Sequence, residues 1–342
     1  MLKIPTDLTC HKLNGPTMGT RWSAQFYAPA VTDPDPIHAA LVESVDVVDR
    51  QMSTWKADSD LMRINRATVG TLVPVPAELM EVLTRALEIG RLSSGAFDIG
   101  VGDVVAAWGF GPHEANESAM RAALGHARPM AHEILDLDRE SLHVRKQTPI
   151  TLDLSGIAKG YAVDRMMAAL SHFGITDALV GLDGEIRARG QRPDGKPWTI
   201  ALERPDFEAR AALSILELKD CAVATSGDYR HWVDVGGKRL SHTMDPARGG
   251  PVMGSPASVT VLAENCMDAD AWATAFMILG SRNGKNLAQR LGLSAIFIDR
   301  DGETLRESRV GWVDRQKPSA ESSSIDTTGI LGRALDNETQ TS

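Results

Sequence analysis

The amino-acid sequence predicts an α+β fold in which helices and mixed sheets interleave along the chain. Four segments have apolar residues at helical spacing, and six short apolar segments are bounded by turn-forming residues. The two kinds of segment alternate irregularly, without the strict repeat of a doubly wound sheet. The chain has 342 residues, 43% of them hydrophobic and 24% charged, which is the composition of a folded globular protein.

The helical spacing is found at residues 37–53, 77–94, 158–173 and 267–279. Glycine follows the second and third of these segments, as Gly95 and Gly174, and glycine is typical of helix C-termini. The fourth segment is apolar nearly all round, so we expect it to be a buried helix.

The strand-like segments are residues 150–154, 178–188, 198–203, 222–225, 257–263 and 295–299. Between the second and the third lies QRPDGKP, residues 191–197, whose Pro, Asp and Gly are typical of a hairpin turn. We therefore expect residues 178–188 and 198–203 to form a hairpin.

Charge and cysteine content argue against several classes of protein. The formal net charge is 36 − 45 = −9 and no block of basic residues occurs, which argues against a nucleic-acid or anionic-membrane partner. Cys10, Cys221 and Cys266 are far apart, so neither a structural zinc site nor a disulfide framework is expected. No apolar run approaches the roughly 20 residues of a membrane helix.

The two ends of the chain differ from its body. Residues 1–14 lack the continuous apolar segment of a secretory signal, which predicts a cytoplasmic protein. A periplasmic or membrane-anchored protein is the alternative if a leader has been removed. Residues 317–342 are rich in Ser, Thr and Asp and are predicted to be a disordered tail. The predicted organisation is an N-terminal extension (1–14), one domain (15–316) and this tail.

Five short stretches contain more Gly, Asp, Ser and Thr than a packed scaffold requires: GPTMGT at 15–20, SGAFDIGVG at 94–102, DLSGIAKG at 153–160, TSGDY at 225–229 and SHTMDP at 241–246. None is a Walker loop or a dinucleotide-binding glycine fingerprint. Each one alone is at least as well explained by a turn, because Gly and Asp are turn formers.

The third stretch has a more specific pattern. An apolar strand leads to Asp153, a Ser-Gly turn follows, and Lys159 lies in the first turn of the predicted helix. Free N–H groups at a helix N-terminus, together with a lysine, suit a phosphate or pyrophosphate. A helix cap beside a solvated lysine explains this stretch alone nearly as well.

Two acids enter the otherwise apolar segment 267–279. Asp270 and Thr274 are four residues apart and share a helix face, and a carboxylate with a hydroxyl can bind Mg²⁺ beside phosphate oxygens. Dipole compensation at the helix start explains Asp268 well but Asp270, further in, less well. Trp55, in the polar stretch MSTWKADSD, is a candidate stacking surface for a planar ring.

In this order along residues 15–280, the five stretches and the acidic helix resemble the ApbE family, the FAD:protein FMN transferases. The resemblance implies an ApbE-type, T-fold-like architecture. It also implies an enzyme that uses Mg²⁺ to transfer the FMN moiety of FAD to a threonine hydroxyl of an acceptor flavoprotein, with release of AMP. The implied acceptor is of the redox-complex subunit type.

The resemblance implies the site residues as well. The nucleotide would contact Met18, Trp55, Ala96, Phe97, Asp98, Asp153, Lys159 and Thr243. Mg²⁺ would be held by the backbone carbonyl of Gly156 and the side chains of Asp270 and Thr274. The predicted catalytic residues are Asp270 and His242, with His242 as the base toward the acceptor threonine.

Two positions depart from the family's usual pattern. Trp55 stands where the family usually has Tyr, and Asp183-Gly184-Glu185 stands where it usually has Gly-Gly-Asp. If that loop approaches the nucleotide, we expect the additional carboxylate of Asp183 to weaken binding or to alter substrate preference.

Three other functions compete with the transferase. An FAD pyrophosphatase would use the same site with water in place of threonine and give FMN and AMP. A non-catalytic FAD-binding protein would not need the pair Asp270 and Thr274. A structural or interaction protein is least consistent with so many polar residues on turns.

Overall fold

The computed structural model describes residues 8–125, 128–230, 232–235, 238–254, 256–302 and 304–311. The helices are α1 (Pro34–Met52), α2 (Asp60–Arg66), α3 (Ala77–Leu92), α4 (Gly102–Ala107), α5 (Glu117–Ala123), α6 (Ala131–Ile134), α7 (Ala158–His172) and α8 (Cys266–Leu291). The strands are β1 (Leu8–Thr17), β2 (Thr20–Pro29), β3 (Val73–Pro74), β4 (Leu135–Asp138), β5 (His143–Lys146), β6 (Ala178–Leu182), β7 (Glu185–Arg189), β8 (Trp198–Glu203), β9 (Ala212–Leu218), β10 (Cys221–Gly227), β11 (Trp232–Val235), β12 (Lys238–Ser241), β13 (Met244–Asp245), β14 (Gly250–Pro251), β15 (Ser258–Ala263), β16 (Ser294–Asp301) and β17 (Thr304–Val310).

An eight-stranded antiparallel sheet, in the order β1-β2-β6-β7-β10-β15-β16-β17, organises the molecule. Its two faces pack against different partners, because successive side chains of a strand point to opposite faces. Along β10, Ala222 belongs to the main core, to which α1, α3, α7 and α8 contribute. Its neighbour Val223 belongs to a smaller core that Trp198 and Leu216 of the β8–β9 hairpin complete. The α+β class predicted from the sequence is confirmed.

All four predicted helices are present, as α1, α3, α7 and α8. The last is longer than predicted and continues to Leu291. Gly280, with φ 73° and ψ 166°, breaks the helical conformation within it. The apolar pattern ends at that break, so the sequence indicates only the first half of α8.

The predicted hairpin between residues 178–188 and 198–203 is wrong. Residues 178–188 hold a hairpin of their own, β6–β7, which turns at Asp183 and Gly184 with φ of 53° and 117°. Asp-Gly is a strong signal for such a turn because both residues tolerate positive φ. Strand β8 pairs with β9 instead, and residues 191–197 connect two different sheets.

Residues 150–154 are also not a strand. The side-chain amide of Asn65 donates to the Leu152 carbonyl at 2.9 Å and accepts from the Leu152 N–H at 2.7 Å. The N–H of Asp153 donates to the carbonyl of Ile99 at 2.8 Å. This extended segment is therefore bonded by a side chain and by the backbone of a short 3₁₀ helix, and an apolar pattern cannot distinguish such partners from a neighbouring strand.

The ends of the described chain bear on the predicted boundaries. Strand β1 pairs with β2 from Leu8 onward, so residues 8–14 belong to the sheet rather than to an N-terminal extension. The predicted tail, residues 317–342, lies outside the described residues. Among the described residues, no helix has the length and apolar character needed to cross a membrane.

Phe276 gives a direct test of the main core. It is fully buried, with its ring centroid 5.4 Å from that of Trp272 and 5.9 Å from that of Phe297. We expect Phe276→Ala to lower the free energy of unfolding by about 3–5 kcal/mol, measured by urea denaturation. Phe173→Ala, at a position that is 45% exposed, should change it by no more than about 0.5 kcal/mol. Equal losses in the two variants would contradict this description of the core.

Candidate functional site

A cavity of about 420 Å³ lies where the first turn of α7 and the first half of α8 meet the start of β7 and the end of β10. Residues from DLSGIAKG, from SGAFDIGVG, from α8 and from SHTMDP all line it. We call it the central cavity. Four of the five polar stretches identified in the sequence, among them TSGDY, line this cavity.

Asp270 lies on the buried floor of the central cavity, with 4% of the residue exposed. Its Oδ2 accepts a hydrogen bond from the N–H of Gly160 at 3.0 Å. Burial, and next the negative charge of Glu185, raise the pKa of Asp270 to about 8. A bound cation would oppose both causes, so this carboxylate ionises most readily when a cation is near.

Thr274 and Gly156 lie beside Asp270 in the same cavity. A Cβ placed on Gly156 would be 3.1 Å from Oγ1 of Thr274, and that oxygen is 3.3 Å from Oγ of Ser226. We use the name cation site for Gly156, Asp270 and Thr274, the three residues that the family resemblance predicts as Mg²⁺ ligands. All three predicted Mg²⁺ ligands therefore line one cavity.

The donor set of the cation site fits one kind of metal binding. Within the described part of the chain, no group of three or more His, Cys, Asp and Glu side chains is arranged to hold a metal ion. The carboxylate of Asp270, the hydroxyl of Thr274 and the carbonyl of Gly156 would therefore supply only part of a shell of hard oxygen donors. Mg²⁺ is commonly bound in this way, with substrate phosphates and water as its remaining ligands.

Lys159 extends from the first turn of α7 into a group of carboxylates. Its Nζ is 3.0 Å from Oε1 of Glu185 and 3.4 Å from Oδ2 of Asp183. Burial alone would lower the pKa of Lys159, but the charges of Glu185, Asp270 and Asp183 outweigh burial and raise it. Lys159 is therefore cationic and can contribute its charge to an anionic ligand.

Asp153 shapes the turn that precedes α7. It is 8% exposed, and its Oδ1 accepts the N–H of Ser155 at 2.8 Å. Burial raises the pKa of this carboxyl, and the Ser155 hydrogen bonds partly oppose that effect. Asp153 lines the cavity as predicted while also fixing the Ser-Gly turn.

Four more predicted residues line the central cavity: Phe97, Asp98, His242 and Thr243. Asp98 has a structural task too, since it accepts the N–H groups of Gly100 at 2.8 Å and Ala131 at 3.2 Å. Burial raises its pKa. His242 lies edge-on to Phe110, with ring centroids 6.2 Å apart.

Three predicted contact residues do not line the cavity in this structure: Met18, Trp55 and Ala96. Met18 lies in the β1–β2 turn with φ 47°, and Thr20, the first residue of β2, donates to Oδ1 of Asp183 at 3.3 Å. Trp55 is 68% exposed in the loop after α1. Ala96 is buried directly before Phe97. Their predicted roles at the nucleotide remain predictions.

The sequence gives only weak signals for some residues of the cavity. Glu185 is 3% exposed, and among the described residues its Oε2 has no hydrogen-bond partner. Its position directly after the Asp-Gly turn is the available signal. Arg210, Arg230 and Ser226 also line the cavity, and no motif indicates the two arginines.

Comparison with known sequences finds related proteins. A family model described as "ApbE family" matches residues 18–297. A protein from Vibrio cholerae named FAD:protein FMN transferase is 35% identical over 297 residues, covering 86% of this chain and 89% of that protein. A protein of the same name from Klebsiella pneumoniae is 33% identical over 300 residues, covering 86% of each chain.

Solved structures resemble the whole described fold. The flavin transferase ApbE from Vibrio cholerae superposes with a TM-score of 0.80 at 32% identity, covering 90% of this chain and 99% of that one. The apo form of the Pseudomonas stutzeri flavinyl transferase ApbE superposes with a TM-score of 0.79 at 31% identity, covering 90% and 96%.

Proposed function

The chain belongs to the ApbE family, and we propose that it transfers the FMN moiety of FAD to a threonine hydroxyl of an acceptor flavoprotein, with release of AMP. The two relatives described above are named FAD:protein FMN transferase. The matches cover 86% and 89% of their lengths. The observation that carries the proposal is the meeting of Lys159 with Gly156, Asp270 and Thr274 in one cavity.

The cation site would hold Mg²⁺ through Asp270, Thr274 and the carbonyl of Gly156. When bound, the ion would neutralise negative charge on the phosphate oxygens and on the departing AMP. The remaining ligands would come from the pyrophosphate itself. Binding of the metal would therefore depend on the bound substrate.

Lys159 and the backbone N–H groups at the N-terminus of α7 would bind the pyrophosphate. The N-terminal N–H groups of a helix and a nearby ammonium both favour anions. To reach a phosphate, Lys159 would weaken its contacts with Glu185 and Asp183, which are 3.0 Å and 3.4 Å from its Nζ. Asp183 is thus expected to compete with the nucleotide for the lysine.

The acceptor threonine would enter beside His242. An imidazole nitrogen of His242 would take the hydroxyl proton while the threonine oxygen forms its bond to the FMN phosphorus. The bond between that phosphorus and the bridging oxygen breaks, and AMP leaves with both electrons of that bond. A nearby carboxylate is the alternative base.

One incubation tests the proposal. The purified protein is mixed with FAD and Mg²⁺, with and without a flavin-acceptor domain that carries the target threonine. We expect AMP release together with covalently fluorescent acceptor on a denaturing gel. An acceptor with alanine in place of the threonine should stay unlabelled, and EDTA should stop the reaction. AMP with free FMN and no labelled acceptor would instead indicate a pyrophosphatase.

The pKa of Asp270 predicts a pH dependence of cation binding. The folded protein keeps this proton between the ordinary value of 3.8 and about 8, whereas the unfolded chain loses it near the lower value. In the metal-free protein, this group therefore lowers the free energy of unfolding as pH rises through that window. Mg²⁺ replaces the proton, so its stabilising effect grows with pH.

The measurement is the rise in melting temperature on adding Mg²⁺ in the presence of unreactive ADP. We expect a larger rise at pH 8 than at pH 6. Asp270→Asn should reduce the difference between the two pH values. An equal or larger rise at pH 6 for the unmodified protein would contradict the assignment of Asp270 as the titrating ligand.

A further inference from the structure

Helices α7 and α8 meet through two polar contacts, each one helical turn from the other. Gly160 of α7 donates its N–H to Oδ2 of Asp270 at 3.0 Å. Four residues further along α7, Asp164 faces Cys266, which precedes Asp270 in α8 by four residues. Residues four apart lie on one face of a helix, so these two pairs line the contact between antiparallel helices.

Asp164 accepts the N–H groups that begin α8. Its carboxylate is 2.9 Å from the backbone nitrogen of Cys266 and 2.9 Å from that of Met267. The next N–H, of Asp268, donates to the side chain of Asn265 at 2.8 Å. The first N–H groups of a helix have no partner inside the helix, so a carboxylate from another element holds that helix end in place.

Two ion pairs connect α7 to β7, and the carboxylate of Asp164 takes part in one of them. Arg187 donates to Asp164 at 2.5 Å, and Lys159 donates to Glu185 at 3.0 Å. In the first pair the negative charge lies on α7, and in the second pair it lies on β7. Exchange of partners would bring like charges together, so the two pairs together fix how α7 lies on the strand.

We propose that Asp164 is a positioning residue for the cation site. It contacts none of the ligands Gly156, Asp270 and Thr274, and it acts by fixing the N-terminus of α8 one turn before Asp270. This inference rests on the proposed function, because it takes the cation site as the place where the metal binds.

The test compares Asp164→Asn with Asp268→Asn. Both variants remove one carboxylate that anchors the beginning of α8, since Asp268 pairs with Arg85 of α3 at 2.6 Å and 2.8 Å. Of these two carboxylates, only that of Asp164 joins α8 to α7, the helix that carries Lys159. The direct readout is Mn²⁺ binding followed by electron paramagnetic resonance in the presence of ADP, with the melting temperature measured alongside.

Asp164→Asn is expected to weaken Mn²⁺ binding by about tenfold or more, as loss of a group that orients a metal ligand does. Raised Mg²⁺ should restore kcat, and the KM for FAD measured at saturating Mg²⁺ should stay within about twofold. Asp268→Asn should lower the melting temperature but leave Mn²⁺ affinity unchanged. Equal weakening in both variants, or unchanged affinity in Asp164→Asn, would overturn the proposal.

Two further variants separate positioning from stability. Arg187→Gln removes the ion pair but keeps the acceptor for the two N–H groups, so Mn²⁺ affinity should remain within about threefold of the unmodified protein. A loss as large as in Asp164→Asn would contradict the positioning role. If Asp164→Asn does not fold, Asp164→Glu replaces it, because the longer side chain displaces the carboxylate from the helix end. Folded Asp164→Glu with unchanged affinity would also overturn the proposal.

The failure of this inference differs from that of the proposed function. If the unmodified protein binds no Mn²⁺ with ADP, the cation site itself is wrong. If it binds Mn²⁺ and Asp164→Asn binds it equally well, only the positioning role of Asp164 is wrong.

Discussion

Replacing Asp270 by alanine is expected to lower FMN transfer by about 10³-fold, the upper end of the range for loss of one preorganised charge-stabilising group. Asp270 is the only carboxylate in the proposed cation site, and its side chain is also the acceptor for the Gly160 N–H. FAD binding should weaken only in part, because Lys159 and the start of α7 remain. The measurements are AMP release at saturating FAD and Mg²⁺, and FAD affinity by flavin fluorescence.

Asp268→Asn is the matched control for that variant. It removes a carboxylate two residues away on the same helix, and that carboxylate pairs with Arg85 outside the central cavity. The control should keep at least half of the kcat while losing some thermal stability. Full transfer by Asp270→Ala under Mg²⁺ would disprove the metal assignment. A loss shared equally by Asp268→Asn would trace the effect to the helix as a whole.

Gly160→Ala is expected to be the most damaging single-methyl change near the site. The new Cβ would lie 2.3 Å from the carbonyl oxygen of Cys266 and 2.9 Å from Cβ of Asp270. Alanine would otherwise stabilise a helix interior by about 1 kcal/mol relative to glycine. The clash is with backbone, which cannot yield cheaply, so we expect the free energy of unfolding to fall by about 3 kcal/mol.

The measurements for Gly160→Ala are the urea midpoint and the transfer rate of whatever protein remains folded. Relieving the clash pushes α7 and α8 apart and lengthens the contact between the Gly160 N–H and Asp270, so transfer should fall as well. Gly111→Ala is the control, because a Cβ there has its nearest neighbour at 3.8 Å. A gain in stability for Gly160→Ala would show that the helices are not in such close contact.

The sequence predicts the fold class and the helices well because the signals for them are local. Apolar spacing locates the four main helices, and Gly280 accounts for the early end predicted for α8. Of the two errors in the predicted strands, the first has a local cause and the second a non-local one. The Asp183-Gly184 turn signal is present in the sequence but lies inside an apolar run. The pairing of residues 150–154 with Asn65, over 80 positions away, leaves no mark on the segment itself.

Site residues that belong to sequence motifs could be predicted. Residues whose roles depend on the packing of two helices could not. Helical spacing alone relates Asp270 to Thr274, and their common cavity with Lys159 and Gly156 agrees with the family resemblance. No motif indicates that Asp164 accepts the first N–H groups of α8, since that contact depends on the crossing of two helices. The same holds for the close approach at Gly160.

The hydrogen bond from Gly160 to Asp270 joins residues 110 positions apart, and this separation has a kinetic consequence. Between them the chain runs through β6, β7, β10 and β15, four adjacent strands of the large sheet. Contacts of such long sequence separation require costly loop closure, and sheets rich in them fold slowly. The proposed metal binding should therefore appear late in refolding, after most secondary structure has formed, and the recovery of activity would report completion of the tertiary structure.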